Sequence, residues 1–333
     1  MTKVREIRLK SRPVGLPTHD NFETVTVDLP PPAPGEVQVR NLWMSVDPYM
    51  RGRMNDGPSY AAPWRIGEAA DGAALGEVTA SNAEGFAAGD LVLSSFGWRE
   101  GFNAPAASVQ KFDAMGLAPQ TFLSVAGMTG LTAYAGLLSV AGLKTGDVVL
   151  VSGAAGAVGS VVCQIAKAKG HKVIGSAGGA EKVAFLKEIG VDHAIDYKAE
   201  PNLAAAVKAA APEGIDVYFE NVGGAHLEAA LTNAKPFARF ALCGMISVYN
   251  STQPPPGPRN LGLMISKSIR MQGFLVGQHQ DERAAFLADL KGWIDAGKMT
   301  WRETVVEGLD NAPDAFLGLF KGQNLGKMLV KLG

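Results

Sequence analysis

Between residues 127 and 297 this 333-residue chain sets apolar, strand-length runs at a regular spacing: 148–152, 172–176, 193–195, 216–220, 237–243 and 269–276. Helix-like segments separate most of them, at 158–169, 181–189, Leu203–Ala210 and Ala225–Asn233. Strands alternating with helices of this length require right-handed crossovers and hence a parallel sheet with both faces covered. Six strands complete one doubly wound dinucleotide-binding (Rossmann) sheet. The flanks have another texture. Residues 1–126 are rich in Pro and Gly, with short β-type runs at 36–42, 76–79 and 90–94, and read as an irregular, mostly β domain. Residues 298–333 return to a β texture around Val305 and 328–331, so the chain is expected to pass back into the first domain. The expected organisation is an α/β fold in which the Rossmann domain, 127–297, is inserted into a β domain formed by 1–126 and 298–333.

The first strand of this pattern runs into Gly153-Ala-Ala-Gly156-Ala-Val-Gly159 and then into a helix. Glycines let the backbone turn tightly and approach a pyrophosphate, and the helix N-terminus offers N–H groups and a positive dipole end to the anion. The spacing is a variant of G-x-G-x-x-G, with Ala154 in the first glycine's place and Gly156 and Gly159 in the later ones. Its position between strand and helix, inside a repeated βα pattern, is the context that such a loop requires.

An NAD-binding domain usually ends its second strand on an acid that accepts the ribose 2′-OH. Here that strand ends Gly175-Ser-Ala-Gly-Gly179. Small uncharged residues leave room for a 2′-phosphate without repelling it, and Lys182 follows directly to supply positive charge. The cofactor predicted is NADP(H).

The formal net charge of −1 gives no electrostatic reason to expect nucleic acid or an anionic membrane as a partner. No apolar run is long enough to span a bilayer, and the N-terminus MTKVREIRLK lacks the apolar stretch of a signal peptide. Two distant cysteines, Cys163 and Cys243, exclude a disulfide framework, and the chain reads as cytoplasmic.

With these residues in place, the chain resembles the zinc-free medium-chain dehydrogenase/reductases, and more narrowly the prostaglandin reductase / leukotriene hydroxydehydrogenase and alkenal double-bond reductase group. The matching stretches are VDPYMR at 46–51, GMTGLTAY at 127–134, AAGAVGSVV at 154–162, ENVGG at 220–224, CGMISVYN at 243–250 and NLGK at 324–327. The resemblance implies a GroES-like, partly open β-barrel domain beside the Rossmann domain, with the active site in the cleft. It implies NADPH-dependent reduction of the C=C bond of α,β-unsaturated ketones and aldehydes, a small-molecule enone or enal substrate, and a homodimer joined through the strand at 269–276. Met128 and Thr132 are expected to approach the nicotinamide side, and Ala155, Gly156, Ala157 and Val158 to cradle the pyrophosphate. Lys182, Tyr197 and Asn324 are expected around the 2′-phosphate. Asn221, Cys243, Ser247 and Tyr249, with Phe274, Leu275 and Val276, are expected to line the cofactor groove. The chain departs from the family at Thr129, where proline is common, and around 98–104, a loop expected to shape the substrate pocket.

Zinc enzymes of the same superfamily need thiolate and imidazole ligands. No cysteine precedes Cys163, and Gly67-Glu-Ala stands where those enzymes have Gly-His-Glu. No metal is expected, and without a Lewis acid to acidify an alcohol, hydride transfer to an activated alkene is the expected chemistry. Negative charge then develops on the carbonyl oxygen and calls for a hydrogen-bond donor. Tyr249 and Tyr49 are the candidates. Asp47 and Arg51 are expected to pair or to position their loop. A quinone reductase of the same superfamily and a non-enzymatic NADPH-binding protein are the alternatives that the same motifs allow.

Overall fold

The structure, a computed structural model, describes residues 2–333 and divides into two units. One comprises 124–302 together with the short segment Leu325–Lys327. Its sheet has six strands: Val148–Val151, Lys172–Ala177, His193–Asp196, Ile215–Glu220, Ala234–Leu242 and Arg270–Gly273. Numbered in that sequence, they lie in the order 3-2-1-4-5-6 and every pair is parallel. This is the strand order of the dinucleotide-binding fold, in which ligands bind beyond the carboxyl ends where the order reverses, here between Val148–Val151 and Ile215–Glu220. The first strand, VVLV, is apolar throughout because helices cover both faces of the sheet. Helix Gly159–Ala168 buries Val161, Val162, Cys163, Ile165 and Ala166, and ends before Gly170 at φ +84°. Helix Leu203–Ala210 starts on Asn202, whose side chain accepts from the Ala205 N–H, and Pro212 follows its end. Leu150, Ile174, Tyr218 and Phe240 fill the core on one face, with the Tyr218 and Phe240 rings edge to face at 5.2 Å.

Two strands differ from expectation. The fifth begins at Ala234, earlier than the run at 237–243, and carries Pro236 and Phe237 in a bulge where the pairing shifts between Ile215 and Val217. Phe237 there adopts φ +64°; a bulge tolerates both the missing N–H and the unusual backbone. The sixth strand stops at Gly273, so Phe274, Leu275 and Val276 lie beyond its carboxyl end. Phe274 packs edge-on against Phe219 at 6.2 Å, and hydrophobicity alone does not separate a paired residue from a packed one. Helices Met128–Ala135 and Arg283–Asp295 add to the predicted set.

The second unit comprises 2–123, 303–324 and 328–333. Its antiparallel sheet runs in the order Glu303–Glu307, Lys327–Lys331, Glu36–Ser45, Ala74–Ser81, Leu91–Ser94, Gln110–Lys111. Gly101–Pro105 pairs with residues 36–40, and Thr2–Leu9 and Phe22–Leu29 form a separate hairpin. The C-terminal stretch also contributes helix Ala312–Phe320, whose Phe316 enters the core. The segment 98–104 is not a loop. Trp98 is wholly buried, stacked on Phe22 at 5.6 Å and edge-on to Phe316 at 6.0 Å, and the strand Gly101–Pro105 follows it. An aromatic residue of this size in the domain core removes so much apolar surface from water that core packing overrides any loop-like composition around it.

Candidate active site

The glycine loop departs from the carboxyl end of Val148–Val151. Gly153 takes φ +58°, so the turn glycine lies one residue before Ala154. Ala154 is buried and its Cβ packs on Gly175, while its N–H donates to the Ser176 carbonyl at 2.9 Å. A Cβ on Gly159 would stand 2.4 Å from the Gly153 carbonyl oxygen, so only glycine fits where the helix packs on the loop. No side chain caps that helix; the Gly156 N–H donates to the Gly153 carbonyl and the Ser160 N–H to the Gly156 carbonyl, both at 3.0 Å, while the Val161 and Val162 N–H groups donate to the Val158 carbonyl. Ala155, Gly156, Ala157 and Val158, the residues expected to cradle the pyrophosphate, make the turn that leads into the helix. The loop is clamped from far along the chain: Gly326 pairs with Gly156 in a parallel bridge and donates its N–H to the Ala155 carbonyl at 2.8 Å. The NLGK stretch therefore has a structural role of its own.

Beyond the second strand, Gly178 is a cradle. A Cβ there would stand 2.8 Å from the Tyr197 hydroxyl and 2.9 Å from Lys198 Cε. Lys182, at the start of helix Ala180–Glu188, is half-buried, and desolvation together with the neighbouring Lys198 ammonium lowers its pKa. Tyr197 and Lys198 are thus brought together over Gly178, and the Lys198 charge acts on Lys182. Sequence reading missed Lys198, although it directly follows Tyr197. The Gly179 N–H is committed to Asp196 Oδ1 at 2.9 Å. The Tyr197 ring rests edge-on against His226 at 5.0 Å. His226 is buried, its Nε2 lies 3.0 Å from Ser176 Oγ, and burial holds its pKa down at about 4, so the imidazole is neutral.

The carboxyl ends of the first, fourth and fifth strands converge on Glu220. Its side chain is fully buried, and Oε1 accepts from Ser152 Oγ, Tyr218 OH and the N–H groups of Val222 and Gly223, at 2.7 to 2.9 Å. Its backbone carbonyl accepts from Cys243 and Gly244. A buried acid is expensive unless donors surround it, and an acid closing an apolar strand was the signal in ENVGG that could have exposed this hub. Around it stand four of the residues expected in the groove. Asn221 donates its side-chain amide to the Ser152 carbonyl at 2.7 Å, and Ser247 donates its hydroxyl to the Val222 carbonyl at 2.5 Å. Burial, with the Glu220 carboxylate adding to it, pushes the Cys243 thiol up to about 12, so it is a packing group and not a nucleophile. Tyr249 follows the turn Ile246–Val248; its hydroxyl oxygen accepts from the Met245 N–H at 3.2 Å. The Tyr249 proton has no acceptor among the described residues, and burial raises its pKa, which keeps it a neutral donor.

Met128 opens helix Met128–Ala135, partly exposed, and this helix packs against the segment Val276–Glu282. The Thr132 hydroxyl is turned back onto the Met128 carbonyl at 2.7 Å, so its side chain serves its own helix. Tyr49 and Asn324 lie in the other unit. Tyr49 precedes helix Met50–Arg53, and burial, then Asp47, raises its pKa. Asp47 accepts from the Ser45 hydroxyl, and Arg51 holds the Gly15 carbonyl at 2.8 Å and Asn55 Oδ1 at 2.5 Å, which positions the loop. Among the described residues no group of three or more His, Cys, Asp or Glu is placed to hold a metal ion.

Residues 5–112 match the family description "N-terminal domain of oxidoreductase" and 157–291 match "Zinc-binding dehydrogenase". Prostaglandin reductase 1 of Bos taurus is 45% identical over 338 residues, covering 99% of this chain and 100% of its own. The chain belongs to the zinc-free medium-chain dehydrogenase/reductases. Within that family it is also similar to the NADP(+)-dependent 2-alkenal reductase of Nicotiana tabacum, 42% identical over 98% of this chain and 96% of the other. The structure of CurA from Vibrio vulnificus in complex with NADPH superposes with a TM-score of 0.94 at 43% identity, over 99% of each chain. The second family description mentions zinc, yet the segment that it covers is the nucleotide-binding part.

Proposed function

We propose that this family member reduces the C=C bond of α,β-unsaturated aldehydes and ketones with NADPH. The coenzyme fits the residues present: an uncapped helix N-terminus for a pyrophosphate, and the Gly178 cradle with two lysines for the ribose 2′-phosphate. Bound NADPH supplies a hydride for the β-carbon of the substrate. The chain's own task is then to meet the charge that develops on the carbonyl oxygen. The observation that carries this reading is Tyr249: its oxygen accepts from the Met245 N–H, and its own proton has no acceptor among the described residues. A neutral donor fixed in this way stabilises an enolate without reorganisation. Tyr49, also neutral, is the second candidate donor. Asn324 completes the phosphate-binding set in this reading, and Phe274, Leu275 and Val276 wall the groove. The enzyme acts in the cytoplasm as a homodimer; the open edge of strand Arg270–Gly273 supports the second point.

The test is the loss of NADPH absorbance with a short 2-alkenal, an enone and a quinone in parallel. Turnover confined to the quinone would move the function to quinone reduction. Tight NADPH binding with no turnover on any of the three would make the chain a binding protein.

A further inference from the structure

The acid missing from the second strand has a counterpart on the third. Asp196 ends His193–Asp196 and pairs in register with Ala177. Its Oδ1 accepts from the Gly179 N–H at 2.9 Å and from the Lys198 N–H at 3.0 Å, while the Tyr197 N–H donates to the Ala177 carbonyl at 3.1 Å. One carboxylate oxygen thus staples the turn after the second strand to the turn after the third. Committed to two amides, it is a structural acceptor and not a partner for a ribose diol. The staple fixes the backbone of residues 197 and 198, and their side chains are the ones that reach over Gly178, with the Tyr197 hydroxyl and Lys198 Cε both within 3 Å of where a Cβ would stand. Tyr197 is braced from behind by His226. Desolvation, and after it the positive charge of Lys198, lowers the Lys182 pKa. Two like charges held together without an anion between them are unfavourable, and a dianionic phosphate placed there relieves the repulsion.

We propose that Lys198 is a second cation for the ribose 2′-phosphate of the coenzyme, and that Asp196 is a positioning residue that presents it by stapling Gly179 to Lys198. This rests on NADP(H) as the coenzyme. It assigns to Asp196 a part opposite to that of the ribose-binding acid of NAD enzymes. There an acid selects against the phosphate, whereas here an acid organises the groups that select for it.

The dissociation constants of NADPH and NADH, measured by titration calorimetry without substrate, test the idea on five variants. Lys198→Ala should weaken NADPH by roughly tenfold or more and leave NADH within about twofold, the loss expected for one charge-assisted contact. Gly178→Ala lies outside the positive-φ set, so its methyl group strains no backbone and displaces only the Tyr197 hydroxyl and Lys198; it should show the same selective loss. Asp196→Ala should lose NADPH preference, and Asp196→Asn, whose amide oxygen still accepts both N–H groups, should bind NADPH at least as tightly as the parent. Lys182→Ala is the reference. If Lys182→Ala is selective while Lys198→Ala and Gly178→Ala are not, Lys198 is a bystander and this inference falls while the coenzyme assignment stands. If no variant changes the ratio of the two constants, the phosphate is recognised elsewhere and the assignment of the cradle falls with it. Lys198 is an exposed side chain, so its variant folds whatever becomes of Asp196→Ala.

Discussion

Gly326 is bridged to Gly156 across the sequence, with its N–H on the Ala155 carbonyl at 2.8 Å, and it sits at φ +67° with no room for a side chain: a Cβ would lie 2.0 Å from the Arg302 carbonyl oxygen. The glycine loop at 153–159 is therefore held from two sides, by its own glycines and by a residue that enters from the far end of the chain.

Gly326→Ala should weaken NADPH and NADH alike, because the pyrophosphate cradle is common to both. A left-handed backbone with a side chain costs on the order of 1–3 kcal/mol, so a lower melting temperature should accompany the loss. Titration of both coenzymes and a thermal melt check this; selective loss of NADPH alone would contradict it.

Tyr249→Phe should lower kcat by roughly tenfold to a thousandfold with little change in NADPH affinity, as expected for a donor that acts on charge present only in the transition state. The Met245 N–H loses its acceptor, which adds a stability cost of about 1 kcal/mol. Steady-state kinetics alongside coenzyme titration separate the two effects. Unchanged kcat would return Tyr249 to a packing role.

Lys182→Ala should weaken NADPH roughly tenfold to a hundredfold and leave NADH nearly unchanged, from a charged hydrogen bond of about 1.5–3 kcal/mol. The loss should shrink at high salt, since the site is partly open to solvent and its charges are screened. Equal weakening of both coenzymes would assign Lys182 to the fold.

His226 gives the protein an acid-sensitive joint. Burial depresses its pKa to about 4 from an ordinary value of 6.5. A depressed folded-state pKa means that the unfolded chain takes up the proton first. The stability contributed by the neutral ring is complete above pH 6.5 and declines as the pH falls toward 4. Each pKa unit is 1.36 kcal/mol, so the loss across that window is about 3 kcal/mol. His226→Phe keeps a ring against Tyr197 and removes the proton site. Urea unfolding between pH 7 and pH 4 should show a flatter dependence for the variant; an identical slope would place the acid sensitivity elsewhere.

The sequence by itself determined the parallel sheet and the identity of its helices, because apolar period and glycine placement are local signals: helices Leu203–Ala210 and Ala225–Asn233 have the bounds their periodicity predicts. It also determined the loop at 153–159, since strand, glycines and helix follow one another without a gap. Tertiary structure decided what surrounds that loop. Asp196, Lys198 and His226 reach the Gly178 cradle, and Gly326 the glycine loop, only through strand order and chain return, which no local pattern encodes. Packing likewise took Trp98 into the core and Phe274 out of its strand, because an apolar side chain goes wherever most of its surface leaves water, and the sequence does not say where that place is.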